Sequence, residues 1–435
     1  MIKEQNMPEI AVLTDHDTAP LAEGVMSHND LSLSTVREIP KHIRRARLAN
    51  SIAFMTFGAS FYAWSTGVSA LRFHTSLDGN SGDFYFGMIA LGMGVGSTVG
   101  ALLTGRLIDA FGARIVLACA LLFYGMSFFP FGASNSYISA LLIGIVFGTL
   151  RGACDTSLNT HGVQIERFYG RTIMSEFHAC FAFGGFLYGL IGSYFAGYFP
   201  ASPFYDFALM GALCLCAAIG LNKNFLSKND ITEDQNIIIK DANINHKKGY
   251  QWVVLGLMVG FGALLLSSVA TESAVTDWGQ EFMRRHIGTT SSVAGIAISC
   301  FTGAEFVGRL FGDSIARRIG RPLTIISSAF LALVGMSCAN FIPSHAAAII
   351  GFSLIGIGVS CLTPLIVSCA GSKDPENQGK NIGIVFFVGY CGTLLGPAIF
   401  TLIVSMLGIG KLFIFPVFLM IALAVLGPIL TRVRI

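Results

Sequence analysis

The sequence predicts an all-α membrane protein with twelve transmembrane helices arranged as two similar six-helix bundles. The first observation is composition, because 53% of the 435 residues are hydrophobic and only 12% are charged, whereas a soluble domain has about 25% charged residues. The second is a series of apolar runs of the roughly 20 residues that a bilayer-spanning helix requires. The third is a short charged turn that occurs once in each half of the chain.

Twelve apolar runs divide the chain into predicted segments. An N-terminal tail (1–47) is acidic and has no apolar run after Met1, which argues against a cleaved signal peptide. A first bundle (48–222), a linker (223–250) and a second bundle (251–435) follow, and the polar linker is expected to be mobile. The predicted spans are 48–72, 84–106, 114–133, 136–160, 173–198, 204–222, 251–275, 292–312, 322–342, 345–370, 381–407 and 411–430.

Basic residues are concentrated in alternate loops, which predicts the orientation of the chain. Cytoplasmic loops of membrane proteins are enriched in Lys and Arg, and this rule places both termini in the cytoplasm of a multi-pass protein of the cell inner (plasma) membrane. The pair Arg284 and Arg285 is the exception, because it falls in a loop assigned to the outside. We attribute that pair to a local or functional cause.

The repeated turns predict an internal duplication. They are Gly105-Arg-Leu-Ile-Asp-Ala-Phe-Gly-Ala-Arg114 and Gly308-Arg-Leu-Phe-Gly-Asp-Ser-Ile-Ala-Arg-Arg-Ile-Gly-Arg321. Matching Gly112 with Gly320 gives an offset of 208 (320 − 112), and the same offset brings Gly184 onto Gly392 (392 − 184). Two anchors far apart in sequence therefore agree on one register, as expected for repeated membrane bundles.

Composition and motifs also exclude several functions. The net charge of +3 is small and its basic residues lie in turns and tails, so nucleic acid is not an expected partner. The ten cysteines fall in or beside apolar runs and are read as small apolar side chains without disulfides or metal. Since no Walker P-loop, HExxH or GxSxG pattern occurs, we expect no enzyme, catalytic residue or cofactor.

The first turn resembles the G-x-L-x-D-R-x-G-R-R signature of the major facilitator superfamily. Ala110 and Ala113 replace two arginines of that signature, and the second turn has Arg317 where the signature has Asp. A pattern around the fourth and fifth spans, with Glu272 in the seventh, resembles the fucose-permease-like branch of that superfamily. The matching positions are Gly105, Leu107, Asp109, Gly112 and Arg114 for the signature, and Asp155, Asn159, Glu166, Gly170, Arg171, Met174, His178, Phe181, Gly184, Glu272, Asp277 and Trp278 for the branch.

The resemblance implies a secondary transporter that works by alternating access between its two bundles. Proton-coupled symport of a small polar solute, such as a sugar or similar metabolite, is the first expectation, with the solute, protons and the lipid bilayer as partners and the chain acting as a monomer. One alternative is proton-driven efflux of an amphipathic or siderophore-like compound. Another is a non-transporting membrane sensor, which the costly charges inside the spans disfavour.

The resemblance also implies gating residues in the cytoplasmic turns, where a carboxylate can approach the positive end of a helix. Their alternative is an ordinary solvated turn. The gating candidates are Asp109, Arg114, Glu166, Arg171, Arg309 and Asp313.

Charged residues inside the spans are the remaining candidates. Arg151 and Asp155 are four residues apart and could pair, Glu305 is read as a lone carboxylate, and purely structural roles are the alternatives, above all for His178. The proton-coupling candidates are Asp155, Glu272, Glu305 and His178. The substrate-binding candidates are Tyr62, Trp64, Arg151, Asn159, Asp277, Trp278 and Tyr390.

Overall fold

The computed structural model describes residues 39–169, 173–227, 252–373 and 378–433. These residues form thirteen α-helices connected by short turns and three single-turn 3₁₀ helices. The predicted tail up to residue 38 and the predicted linker from residue 228 to 250 lie outside the described ranges. The helices are α1 Lys41–His74, α2 Asp83–Phe111, α3 Ala113–Gly132, α4 Tyr137–Tyr169, α5 Met174–Tyr198, α6 Phe204–Leu221, α7 Trp252–Arg285, α8 Ser291–Ile319, α9 Arg321–Phe341, α10 His345–Ser360, α11 Leu362–Gly371, α12 Gln378–Leu407 and α13 Ile414–Arg432.

Eleven segments of the described chain are long and apolar enough to cross a membrane, and α10 with α11 counts as one of them. The twelfth predicted span, 48–72, lies in α1, which is long enough but more polar. Its polar side chains, among them Asn50, Ser60, Ser65 and Thr66, are buried in the protein. A helix enclosed by its neighbours can carry such residues, since polar groups in membrane helices face the bundle interior.

Helix packing repeats in the two halves. In the first half α1 packs on α5, α2 on α4, and α3 on α6; in the second half α7 packs on α12, α8 on α10, and α9 on α13. These pairs correspond one to one, so the fold consists of two pseudo-symmetric six-helix bundles. The halves meet where α1 contacts α7, α2 contacts α12, and α5 contacts α8.

The two charged turns have the same backbone geometry. Gly112 separates α2 from α3 and Gly320 separates α8 from α9, and both have a φ of 85°, a conformation that strains residues with a side chain. The bounds of α2 and α8 differ by 208 at both ends (291 − 83 and 319 − 111). The structure therefore confirms the predicted register between the halves.

The second pair of matched glycines also occupies equivalent places. A Cβ atom on Gly184 of α5 would lie 1.9 Å from the Met55 carbonyl oxygen of α1. A Cβ atom on Gly392 of α12 would lie 3.2 Å from the Leu266 carbonyl oxygen of α7. Each glycine thus permits the close approach of the fifth and first helices of its half.

The helices alternate in direction, so the bundle has two ends that are named here by one residue each. The Gly112 end contains the turns at Gly112 and Gly320, and the sequence predicts that it faces the cytoplasm. The Arg72 end contains the last turns of α1 and α7, with Arg72 and Arg285. All ten cysteines are free thiols, but Cys119 and Cys216 are exposed on the bundle surface rather than buried as expected.

We expect Gly184→Ala to destabilise the protein by about 1–3 kcal/mol, the usual cost of overpacking, because its new methyl group would overlap the α1 backbone. Gly220→Ala on α6 is the matched control, since nothing lies within 4 Å of the added atom. Thermal unfolding in detergent should show a lower midpoint for the Gly184 variant alone. Equal midpoints would contradict the close α1–α5 contact.

Candidate functional site

Seven charged or titratable side chains lie well inside the helices that carry them, at a depth where charge is expensive unless it faces a partner or a cavity. They come from α4 and α5 of the first half and from α7 and α8 of the second. They form two neighbouring groups, called here the Arg309 group and the Arg151 group. The seven residues are Arg151, Asp155, His178, Glu272, Asp277, Glu305 and Arg309.

The Arg309 group joins α8 to α5 and α7. Glu305 and Arg309 are one helical turn apart and form an ion pair, so the prediction that Glu305 is a lone carboxylate is wrong. Arg309 also donates from Nη1 to the His178 carbonyl oxygen of α5 at 3.0 Å. Glu272 of α7 interacts electrostatically with both Arg309 and Glu305. Two carboxylates therefore share one guanidinium, and the group carries one negative charge in excess when both are ionised.

Tyr62 of α1 completes the Arg309 group. Its side chain is fully buried beside Thr302 and Glu305, yet its hydroxyl has no hydrogen bond of good geometry, and neither does Oε2 of Glu305. An unsatisfied buried polar atom costs about 1–3 kcal/mol. Two such atoms side by side mark a place where an added proton or polar group would be stabilised.

The Arg151 group lies between α4 and α7. The structure does not form the Arg151–Asp155 pair that the spacing suggested: no described carboxylate lies within ion-pair distance of Arg151. The Arg151 guanidinium instead lies 4.6 Å from the Phe61 ring centroid, a favourable cation–π contact. Asp155 accepts a hydrogen bond of 2.9 Å from Asn159, the residue one turn further along α4.

Asp277 brings the second half into the Arg151 group. Its carboxylate accepts from the Trp64 indole of α1 at 3.2 Å and from the Ser273 hydroxyl at 2.7 Å. Arg151 interacts electrostatically with both Asp277 and Asp155. Both carboxylates are partly exposed, so their oxygens are accessible from the space between the halves.

The predicted aromatic contacts to cargo fall into two classes. Tyr390 of α12 is 49% exposed and interacts electrostatically with Asp155 and Glu272, so it lies between the two groups. Trp64 is buried in a stack between Phe86 and Phe131, at centroid distances of 5.9 and 5.7 Å. Trp278 is also fully buried. Tyr390 alone of these three has a ring surface that a solute could reach.

A second site, the Arg72 cluster, closes the Arg72 end of the molecule. It combines three cations with three anions from α1, the α1–α2 turn, α2 and α7, and it crosses the boundary between the halves. Arg72 pairs with Asp83 at 2.7 Å and with Glu281 at 3.5 Å. Its members are Arg72, Asp78, Asp83, Glu281, Arg284 and Arg285.

The pair of arginines on α7 explains the exception to the charge rule. Arg285 pairs with Asp83 of the other half at 2.5 Å, and Arg284 pairs with Glu281 at 2.7 Å and lies 3.6 Å from Asp78. Because each arginine has acidic partners, its charge is neutralised in place. The local cause that the sequence analysis assigned to this pair is therefore an ion network between the halves.

Uncharged contacts extend the Arg72 cluster. Ser69 of α1 donates to Glu281 at 2.6 Å and receives a bond at its backbone N–H from Gln280, 2.8 Å away, as the acceptor side chain oxygen of Gln280 faces α1. The Arg72 guanidinium lies over the rings of Phe86 and Trp278, at 4.9 and 5.7 Å. Trp278, predicted to touch cargo, thus forms part of this seal.

Sequence reasoning missed the Arg72 cluster, although a signal was present. Asp78 and Asp83 follow Arg72 closely, and Glu281 precedes Arg284 and Arg285 by one turn. Opposite charges in two loops at the same end of a bundle indicate a contact between those loops. The sequence analysis looked for charge inside the spans and in the Gly112 turns, so it did not compare these two.

The gating candidates at the Gly112 end are only partly visible. Glu166 accepts from the backbone N–H groups of Ile173 and Met174 at 2.8 and 3.0 Å, so it caps α5, where a carboxylate favours the helix dipole. Arg114 donates to Asn222 within the same half. Arg309, grouped with these turns by the sequence analysis, lies in the Arg309 group instead. Arg171 and the side chains of Asp109 and Asp313 lie outside the described part of the structure.

Comparison with known proteins agrees with this architecture. Residues 260–434 match the family model of the Major Facilitator Superfamily. Solved structures with the same fold include a D-xylose-proton symporter, with a TM-score of 0.71, 13% identity and coverage of 90% of this chain and 97% of that one. The nucleoside transporter NupG gives 0.65, 14%, 91% and 100%. The fold is that of the major facilitator superfamily.

Relatives with closer sequences support the same superfamily. An uncharacterised MFS-type transporter of Yersinia pestis is 28% identical over 356 residues, covering 81% of this chain and 87% of the relative. The membrane protein MosC of Rhizobium meliloti is 28% identical over 372 residues, covering 84% and 86%. Together these likenesses support a multi-pass protein with a role in membrane transport, in a superfamily of transporters rather than enzymes. They do not confirm the fucose-permease-like branch, which stays a prediction.

We expect Glu281→Gln to loosen the Arg72 end, because it leaves three arginines facing two carboxylates in a buried place, and unbalancing a buried ion pair commonly costs about 3–5 kcal/mol. A cysteine introduced at Ser273, in a background without native cysteines, should react roughly tenfold faster or more with a polar thiol reagent applied from the Arg72 side. Arg284→Gln, at the partly exposed rim, should have a smaller effect. Unchanged reactivity in the Glu281 variant would contradict the seal.

Proposed function

We propose that this protein is a secondary active transporter that moves a small polar solute across the inner membrane by alternating access, in symport with protons. The observation that carries the proposal is the position of the Arg72 cluster. It ties the halves together at one end, next to a polar site between the halves. A site of this kind can be exposed to each side of the membrane in turn only if the ties between the halves break and re-form.

The two ends of the molecule differ in how the halves are tied. At the Arg72 end, Arg285–Asp83, Arg72–Glu281 and Ser69–Glu281 cross between them. At the Gly112 end, the described contacts of Arg114, Glu166, Arg321 and Lys373 each stay within one half. The structure therefore favours a state that is closed at the Arg72 end and able to open at the Gly112 end, toward the cytoplasm in the predicted orientation.

Proton coupling is assigned to the Arg309 group. A proton on Glu305 or Glu272 would cancel the excess charge beside Arg309 and would supply a donor for the unsatisfied oxygens of Tyr62 and Glu305. Since Arg309 bonds to the α5 backbone of the other half, the protonation state of this group acts on the contact between α8 and α5. A carboxylate that reports to a moving interface is the element that coupling requires.

The polar character of the solute is inferred from the site. Between the halves the accessible side chains are Asp155, Asn159, Asp277 and Tyr390, which suit a solute with hydrogen-bonding groups rather than an apolar compound. Symport with protons is what the name of one fold relative, the D-xylose-proton symporter, says of that protein. The likeness supports the proposal only through the shared fold.

Uptake into vesicles tests the coupling. Reconstituted wild-type protein should accumulate a solute when a pH gradient is imposed, and Glu305→Gln should abolish the dependence on that gradient because the residue can no longer release a proton. Glu305→Asp, which keeps the titratable group, should restore part of the dependence. The same pH dependence in Glu305→Gln and in wild type would remove Glu305 from the coupling step, and absence of uptake for every solute of a broad panel would favour a sensor.

A further inference from the structure

We infer that the cargo bears a positive charge, as an amine-bearing polar solute does, and that Asp155 and Asp277 hold this charge between the halves. The inference deepens the proposed function and rests on it. It follows from a charge count in the site, from the exposure of particular carboxylates, and from two buried polar atoms that have no partner.

The mid-membrane site has more acids than cations. Its described carboxylates are Asp155, Glu272, Asp277 and Glu305, and its described guanidinium groups are those of Arg151 and Arg309. The Arg72 cluster cannot balance the difference, because its own three anions and three cations cancel. With all four acids ionised the site therefore has an excess of two negative charges, which a low-dielectric environment does not tolerate without a counter-charge.

The excess is divided equally between the two groups. In the Arg309 group, Glu305 is 1% exposed and bound to Arg309, so a bulky ligand cannot reach it and a proton is the counter-charge that fits. Buried Tyr62 directs its unpartnered hydroxyl at the same place. This group thus accounts for one excess charge through the proposed coupling proton.

The Arg151 group has the other excess charge, in a different setting. Asp155 and Asp277 are both partly exposed and belong to opposite halves. The Arg151 side chain is 8% exposed and held on Phe61, and its Nε atom has no hydrogen-bond partner. Because Arg151 forms an ion pair with neither acid, it influences both without occupying their oxygens. An ammonium group of a solute could therefore bind both carboxylates.

The surroundings favour an organic cation over a proton at this place. Tyr390 lies beside Asp155 with its ring half-exposed, and an aromatic face attracts a cationic group. Asn159 and Ser273 adjoin the two carboxylates and supply neutral hydrogen-bonding groups for the polar remainder of a solute. A cation held by Asp155 of one half and Asp277 of the other would also draw the halves together during transport.

A matched set of probes isolates the charge. D-Glucosamine, D-glucose and N-acetyl-D-glucosamine differ chiefly in whether an ammonium group is present, and choline with an uncharged alcohol of similar size forms a second set. Affinity for the purified full-length protein would be measured by ligand-induced thermal shift, since a ligand stabilises the folded form by mass action. Uptake of the same compounds would be measured in vesicles.

We expect at least one cationic probe to bind at least tenfold more tightly than its neutral counterparts. Asp277→Asn should weaken that binding about tenfold, which corresponds to about 1.4 kcal/mol, and Asp277→Glu should restore it. The unliganded midpoints of both variants check that they fold. Equal or tighter binding of the neutral probes, no shift with any cationic probe, or wild-type affinity in Asp277→Asn would each overturn the inference.

The uptake measurements separate this inference from the proposed function. Uptake of a neutral sugar with no uptake of any cationic probe would leave the transporter assignment intact and exclude a cationic cargo. Absence of uptake for all compounds, with folded protein in the vesicles, would contradict the transporter assignment itself.

Discussion

The structure depends on a neutral set of six charges buried at the boundary between its halves. Arg72 and Glu281 are fully buried and Asp83 is 1% exposed, so each would be severely destabilising alone, and each is tolerated because the others lie within ion-pair distance. Such a network is strongly geometry-dependent. It is stable when the α1–α2 turn meets the end of α7, and it has no intermediate arrangement in which its buried charges stay paired but dry.

That property suits a molecule with two states. If the halves separate at the Arg72 end, all six groups become hydrated together, so the energy lost in pairing is largely regained as hydration, and the two states can be close in free energy. The aromatic residues Trp64, Phe86, Phe131 and Trp278 lie next to the network. They exclude water while the end is closed, and this makes the closed arrangement distinct.

The mid-membrane site follows the opposite principle. Its charges do not cancel, and Tyr62, Glu305 and Arg151 retain polar atoms without partners. A fixed structural core would be expected to satisfy such groups, so the deficit indicates that something else completes them in part of the cycle. Neutral charges at the closed end and unbalanced charges in the middle therefore divide the work between holding the halves and binding what passes between them.

Much of the fold followed from the sequence because its signals are local. Apolar length marked the helices, and the glycine turns at Gly112 and Gly320 fixed the register of the two halves. The site was harder, because Arg151 could be placed near Asp155 by helical spacing, but its choice of the Phe61 ring depends on how α1 packs on α4. The Arg72 cluster joins residues some two hundred positions apart (281 − 72 = 209), and nothing in the local pattern of either loop specified the contact.

The most direct test of the account is the distance across each end of the molecule. Spin labels at Ser136 and Ala346, exposed at the Arg72 end, and at Ala110 and Arg318, exposed at the Gly112 end, would be measured as two separate pairs by pulsed electron resonance in lipid, with and without Glu281→Gln. We predict that the variant lengthens the Arg72-end distance and shortens the Gly112-end distance. Distances that both stay fixed, or that change in the same direction, would contradict alternation between the ends.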